Sequence, residues 1–166
     1  MELRIRRLAP SEDAAIALVA RRMRATLVEL LGASAGQSLY SPAWLEKRAR
    51  SHLTALDPTR AVLVAELDDA IVGHVMTRLE REENRYYGLV ATVYVCKALR
   101  RKGIASALWA AAEQELRAHG AAAMATNTAT DNDALRAMLE RRGYAVALRD
   151  VDRNMVHLRR DDLHAR

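Results

Sequence analysis

Residues 93–106, Val-Tyr-Val-Cys-Lys-Ala-Leu-Arg-Arg-Lys-Gly-Ile-Ala-Ser, join an apolar strand, a cationic turn and the start of a helix. A helix start presents backbone N–H groups with no intrahelical partner, together with the positive end of the aligned peptide dipoles, so it suits an anion such as a phosphate. Gly103 lets backbone approach a ligand closely and Ala105 keeps the next turn small, while Arg100, Arg101 and Lys102 surround the same point with positive charge. The spacing is Arg-x-x-Gly-x-Ala. It is neither the Gly-x-Gly-x-x-Gly of dinucleotide-binding folds nor the Gly-x-x-x-x-Gly-Lys-Ser/Thr of the P-loop. A solvated basic loop would use the same residues, so the surrounding elements must decide between the two readings.

Those elements are an alanine-rich helix after Gly103 and, further on, the run Asn132-Asp-Ala-Leu-Arg-Ala-Met-Leu-Glu-Arg-Arg-Gly143-Tyr144. Together the motifs resemble the GNAT superfamily of acyl-CoA-dependent N-acyltransferases. That family carries Arg/Gln-x-x-Gly-x-Gly/Ala for the coenzyme A pyrophosphate, and later a helix reading roughly Asn-x-x-Ala-x-x-Leu-Tyr-Glu-Lys-x-Gly-Phe. The close match covers residues 89–144; the N-terminal half agrees in the order of its elements. The resemblance implies acetyl-CoA as cosubstrate, with its pyrophosphate on the turn of Arg100, Arg101, Lys102, Gly103, Ile104, Ala105 and Ser106. It also implies that the pantetheine arm lies beside Val93, Tyr94 and Val95 like an added strand, in a splay between this strand and that of residues 121–126. A backbone N–H near Val95 would polarise the thioester carbonyl. Asn132 matches the family's asparagine, whose amide bonds the pantetheine arm; capping of the helix would use the same residue.

Two positions depart from the family. The tyrosine that often serves as general acid is replaced by Leu139, and the glutamate that often serves as base is replaced by Leu89. Three accounts then remain open. An acceptor of low pKa or a chain of waters could make a side-chain base unnecessary. Glu83 and Tyr87 could substitute, since they share the pleat parity of Leu89 if no bulge intervenes. Or the protein binds an acyl-CoA without efficient transfer. Cys96 stands next to the basic turn but lacks the Cys-His pattern of a nucleophile. His74 reads as a strand histidine that packs, Tyr144 as an aromatic packing residue, and the five scattered histidines with one cysteine give no metal-ligand spacing, so no metal is expected.

The chain that must position these residues has 166 of them, 51% hydrophobic, enough for one compact domain over residues 1–166 without disulfides or metal. The single cysteine suits a reducing compartment; with no signal-like segment or membrane-length apolar run, the expectation is cytoplasmic, with no membrane contact. The net charge of +5 favours anionic ligands, yet the basic residues are dispersed and no Phe is available for base stacking, so nucleic acid is not an expected partner.

Alternation through Leu3 and Ile5 predicts a first strand over residues 2–8. Pro10-Ser11-Glu12-Asp13 opens a helix with Ser11 as its cap, and Ile16, Val19, Met23, Leu27 and Leu30 carry it to Gly32. Residues 32–41, small and polar, read as a mobile loop. Ser41-Pro42 starts a second helix bearing Trp44, Leu45, Leu53 and Leu56. Strands at 62–67 and 71–77 form a hairpin, the polar run 80–85 interrupts, and a strand follows at 89–95. Helix 103–119, strand 121–126, helix 132–142 and strands 144–151 and 155–158 complete the chain. This order gives an α/β (α+β) single domain in which a central, mixed, mostly antiparallel sheet is flanked by helices, the same order as the GNAT fold.

By this resemblance the protein is an N-acetyltransferase acting on a primary amine of a small molecule, protein or peptide by direct attack in a ternary complex. The acceptor would meet the first two helices, the 32–41 segment and the 80–87 turn. Homodimers are common among such folds, and no interface is legible. An acyl-CoA sensor without catalysis and a basic nucleic-acid-binding domain are the competing classes.

Overall fold

In the computed structural model, residues 2–53 and 57–161 are described. Strand β1 (Leu3–Arg7) precedes three helices, α1 (Asp13–Leu31), α2 (Ala33–Leu39) and α3 (Pro42–Ser51). Strands β2 (Ala61–Leu67), β3 (Ala70–Glu82) and β4 (Arg85–Val95) lead to a short 3-10 turn, Lys97–Leu99, and helix α4 (Ile104–Ala118). Strand β5 (Ala123–Ala129), helix α5 (Asp133–Arg141), β6 (Ala145–Asp150) and β7 (Met155–Asp161) follow. The strands form one sheet in the order β1-β2-β3-β4-β5-β7-β6. Every neighbouring pair is antiparallel except β4–β5.

Each face of the sheet has its own core. On one, Ile16, Val19 and Met23 of α1 and Leu45 of α3 cover Val62, Val64 and Met76. On the other, Leu108, Trp109 and Leu116 of α4 and Leu139 of α5 cover Val75, Val90, Met124 and Leu158. The helical spacing of the α1 residues and the alternation of the strands follow from these burials.

Four local expectations need correction. Ser11 does not cap α1. Glu12 holds that position, and its carboxylate instead accepts the Ala9 N–H at 2.7 Å and pairs with Arg6 at 2.8 Å. The 32–41 segment contains α2: a Cβ on Gly36 would lie 2.6 Å from the Leu27 carbonyl, so the small residues let α2 seat directly on the backbone of α1. The charged run 80–85 does not interrupt the hairpin. Glu80 pairs with Tyr87 and Glu82 with Arg85, because here the strands run past the helices and need no apolar face. Strand β5 continues to Ala129, beyond the expected end at Thr126. Ser41 caps α3 as expected, accepting the Trp44 N–H at 3.1 Å; Leu56, expected on this helix, lies outside the described residues.

Candidate active site

The parallel contact between β4 and β5 is short. Its register consists of Gly88 with Met124 and Leu89 with Ala125, after which the Thr126 hydroxyl donates to the Val90 carbonyl at 2.7 Å. Beyond this seam the strands part. The register between β3 and β4 shifts here as well, passing from Thr77–Val90 to Met76–Thr92 and leaving Ala91 as an extra residue. A bulge of this kind bends its strand and ends regular pairing. The β4 backbone over Val93–Val95 thereby has no register partner on the β5 side, while Val93 and Val95 keep their side chains in the α4 core.

The basic turn stands at the end of this edge. Gly103 is the N-cap of α4 with φ +81°, in the left-handed region that favours glycine, and no side chain caps the helix. The first-turn N–H groups of Ile104, Ala105 and Ser106 therefore lack a capping partner from a side chain. Arg101 and Lys102 are exposed beside them. Arg100 differs from these two: its guanidinium binds both carboxylate oxygens of Glu29 on α1, at 3.0 and 3.2 Å, and the Val95 carbonyl at 2.9 Å. It fastens α1 to the end of β4. Tyr94 points to the α1 side, where His74 stacks on it and the Arg22 and Arg100 guanidinium groups lie 5.3 and 5.8 Å from its ring centre. Asn132 is the N-cap residue of α5, but its amide donates to the Thr128 hydroxyl at 3.0 Å rather than capping the helix.

Leu89 and Leu139 are both buried, so neither family position offers a proton donor or acceptor. Glu83 lies in the β3–β4 turn with φ +50° and is exposed; it does not share the pleat of Leu89. Tyr87 does share it. Its ring carries the Arg159 guanidinium 5.3 Å from the centre, and burial, with Glu80 and Glu82 nearby, raises the phenol pKa above its ordinary value. Glu82 is tied to Arg159 at 2.8 Å, and this hydrogen bond is the main reason its pKa falls.

Two further polar residues share this face of the sheet. Asn127 of β5 and His157 of β7 are register partners, and the His157 Nδ1 lies 2.8 Å from the Asn127 Oδ1. Burial and then the charge of Arg159 lower the imidazole pKa, with Glu82 opposing, so the ring is neutral at neutral pH. The sequence reading missed the pair because its strand ended at Thr126, one residue short of Asn127. The polar run Thr126-Asn127-Thr128 within an alanine-rich strand was the available signal.

The remaining candidates are structural. His74 is fully buried and burial, then Arg22, lowers its pKa to about 3. Cys96 receives a hydrogen bond from Arg22 at 3.2 Å. Tyr144 is buried; it accepts from the Trp109 indole and donates to Glu113, each at 3.0 Å. Among the described residues, no group of His, Cys, Asp and Glu could hold a metal ion, and no helix is long and apolar enough to cross a membrane.

A sheet that parts between two parallel strands, beside an uncapped and cationic helix start, defines an acyl-coenzyme A type of site. Residues 26–144 match the model of the acetyltransferase (GNAT) family, and the chain belongs to that family. No curated protein sequence matches it. Solved structures overlay almost its whole length. An acetyltransferase of the GNAT family from Streptococcus pneumoniae is 19% identical, with 96% of this chain and 99% of that one covered and a TM-score of 0.70. PaiA N-acetyltransferase from Thermoplasma acidophilum, in complex with coenzyme A, is 17% identical, with 97% and 99% covered and a TM-score of 0.66. Ribosomal-protein-alanine N-acetyltransferase from Brucella melitensis is 20% identical, with 95% and 99% covered and a TM-score of 0.67. At these identities the likeness is one of fold. GNAT acetyltransferases use acetyl-CoA, and the uncapped N–H groups of α4, the open space above Gly103 and the free edge of β4 fit that molecule.

Proposed function

We propose that the protein is an N-acetyltransferase that joins the acetyl group of acetyl-CoA to a primary amine of a small molecule, protein or peptide by direct attack in a ternary complex. The observation that carries this reading is the β4–β5 seam, whose pairing stops after Gly88–Met124 and Leu89–Ala125, on the strand that leads into the uncapped start of α4. When bound, acetyl-CoA supplies an activated acetyl thioester. The backbone of residues 101–106 holds the pyrophosphate, with Arg101 and Lys102 adding charge; Arg100, expected among these residues, gives its N–H to the Lys97 carbonyl and its side chain to Glu29. The edge formed by Val93, Tyr94 and Val95 aligns the pantetheine arm, and its backbone N–H groups polarise the acetyl carbonyl. Asn132 reaches the arm by exchanging its bond to Thr128. Tyr87, whose phenol keeps its proton, is suited to donate rather than accept.

The acceptor enters from the opposite side, past α1, α3 and the projecting hairpin. The buried leucines at positions 89 and 139 favour a second reading, an acyl-CoA sensor. Calorimetric titration of acetyl-CoA, followed by thiol release with a panel of amines, separates the two. The transferase reading expects micromolar binding, its loss in Gly103→Trp, and amine-dependent thiol release. Binding without release across the panel leaves the sensor; no binding to folded protein removes both.

A further inference from the structure

Asn127 is the one exposed residue of β5; both neighbours, Thr126 and Thr128, are buried. An exposed residue in an interior strand marks the place where no helix covers the sheet. This place adjoins the seam: Thr126 makes the last contact to β4 through Val90, and Ala125, two residues before Asn127 on the same face, is the register partner of Leu89. The position that lacks a carboxylate thus looks along one face of β5 to the Asn127–His157 pair.

That pair has the form of a base and its orienter. The Asn127 carbonyl oxygen can only accept, so the ring proton of a neutral His157 sits on Nδ1 and the Nε2 lone pair is left available. Among the described residues no hydrogen bond engages Nε2, and the atom is not sealed from solvent. The charged groups facing the ring are Arg159 on its own strand and Glu82 at the hairpin; the partner on β6 is Leu148, and that on β5 is the uncharged Asn127. Arg159 is itself held by Glu82 and Asp161.

We propose that His157 is the general base of the acetyl transfer, with Asn127 as its positioning residue; this rests on the transferase reading given above. Nε2 takes one proton from the ammonium form of the bound amine and so frees its lone pair. As the nitrogen bonds to the acetyl carbon and the carbon–sulfur bond breaks, the surplus proton of the nitrogen passes to the departing thiolate and the imidazolium returns its own to solvent, so that ammonium and thioester become amide, thiol and one released proton.

Two probe amines test the assignment in the full chain. Glycinamide is largely protonated at neutral pH and needs a base; hydroxylamine is already neutral. His157→Gln lowers glycinamide-dependent thiol release about 100-fold and hydroxylamine-dependent release less than about fivefold, within the usual range for a general base. The acid limb of the wild-type pH profile, lying below the ordinary histidine range, disappears in the same variant. Imidazole-ring NMR gives a readout that requires no turnover: His157 appears as the Nδ1–H tautomer, and Asn127→Ala mixes its tautomers. Equal losses with both amines, or an Nε2–H tautomer in the wild type, overturn the assignment while leaving the transferase intact. Absence of thiol release from the wild type with every amine refutes the transferase reading itself, and the base with it.

Discussion

Replacing Glu113 with alanine tests whether the two helices that frame the coenzyme turn are held by one buried carboxylate. Glu113 lies on α4 and is only 3% exposed. Its oxygens take Arg142 at 2.8 Å, Arg160 at 3.1 Å and the Tyr144 hydroxyl at 3.0 Å, so it ties α5 and β7 to α4. Removing it withdraws a shared counter-charge from the guanidinium groups of Arg142 and Arg160, with side chains 22% and 19% exposed, and from the more exposed Arg117 at 3.8 Å. Breaking a buried pair from one side costs about 3–5 kcal/mol. For a domain of this size that is a fall in Tm of roughly 6–20 °C. The control is Glu115→Ala on the same helix, whose partners Arg7 and His119 are part exposed, with an expected loss of no more than about 1 kcal/mol. Urea denaturation at neutral pH measures both. The triple replacement Glu113→Leu, Arg142→Leu, Arg160→Met should recover most of the loss, because it removes the desolvated charges together. Burial pushes the Glu113 carboxyl up, but the bonds from Arg142 and Tyr144 and the charge of Arg160 outweigh it and hold the pKa below its ordinary value. Its contribution is therefore complete above the ordinary carboxylate range and fades as the pH falls through the lowered value, so wild type and variant converge in acid. A Glu113→Ala loss below about 1 kcal/mol at neutral pH would refute the reasoning.

His74 predicts a second pH dependence. Its folded pKa is about 3 against an ordinary 6.5, so the unfolded chain takes up a proton first and stability falls as the pH drops from 6.5 toward 3. His74→Phe should lessen that slope in a plot of urea midpoint against pH and leave the share of His52, whose pKa burial lowers to about 4; an unchanged slope would show that the His74 ring does not titrate in this window. Tyr87→Phe should slow amine-dependent thiol release by about tenfold or more with acetyl-CoA affinity unchanged, measured by steady-state kinetics beside calorimetry. A fall in affinity without a fall in turnover would make Tyr87 a binding group instead.

Elements that bury one face were legible, because burial is what imposes periodicity. The α1 residues Ile16, Val19 and Met23 and the β2 run Val62–Val64 read correctly for that reason. The turn into α4 was legible because Gly103 is required by its φ of +81°. Where the chain leaves the core, the pattern disappears: Glu80 and Glu82 lie at the end of β3, past the Val75 and Met76 that helices cover, and α2 meets α1 through Gly36 with no apolar stripe. The bulge at Ala91 has no compositional mark at all, since alanine suits strand and bulge alike. The Asn127–His157 pair joins residues on strands brought together only by the sheet order, a relation that neither spacing nor residue type encodes.

The seam between β4 and β5 also governs how the molecule holds together. It is the one ladder shared by two antiparallel halves, β1 to β4 and β5 to β7, and it consists of two register pairs. A ligand lying between them binds only the assembled sheet, so it acts as a staple across the weakest lateral joint, adding about 2.7 kcal/mol to the stability at a hundred times its Kd. On the function proposed above, coenzyme occupancy and completeness of the fold are one equilibrium, and a chain in which only one half has formed would be silent as an enzyme as well as unstapled.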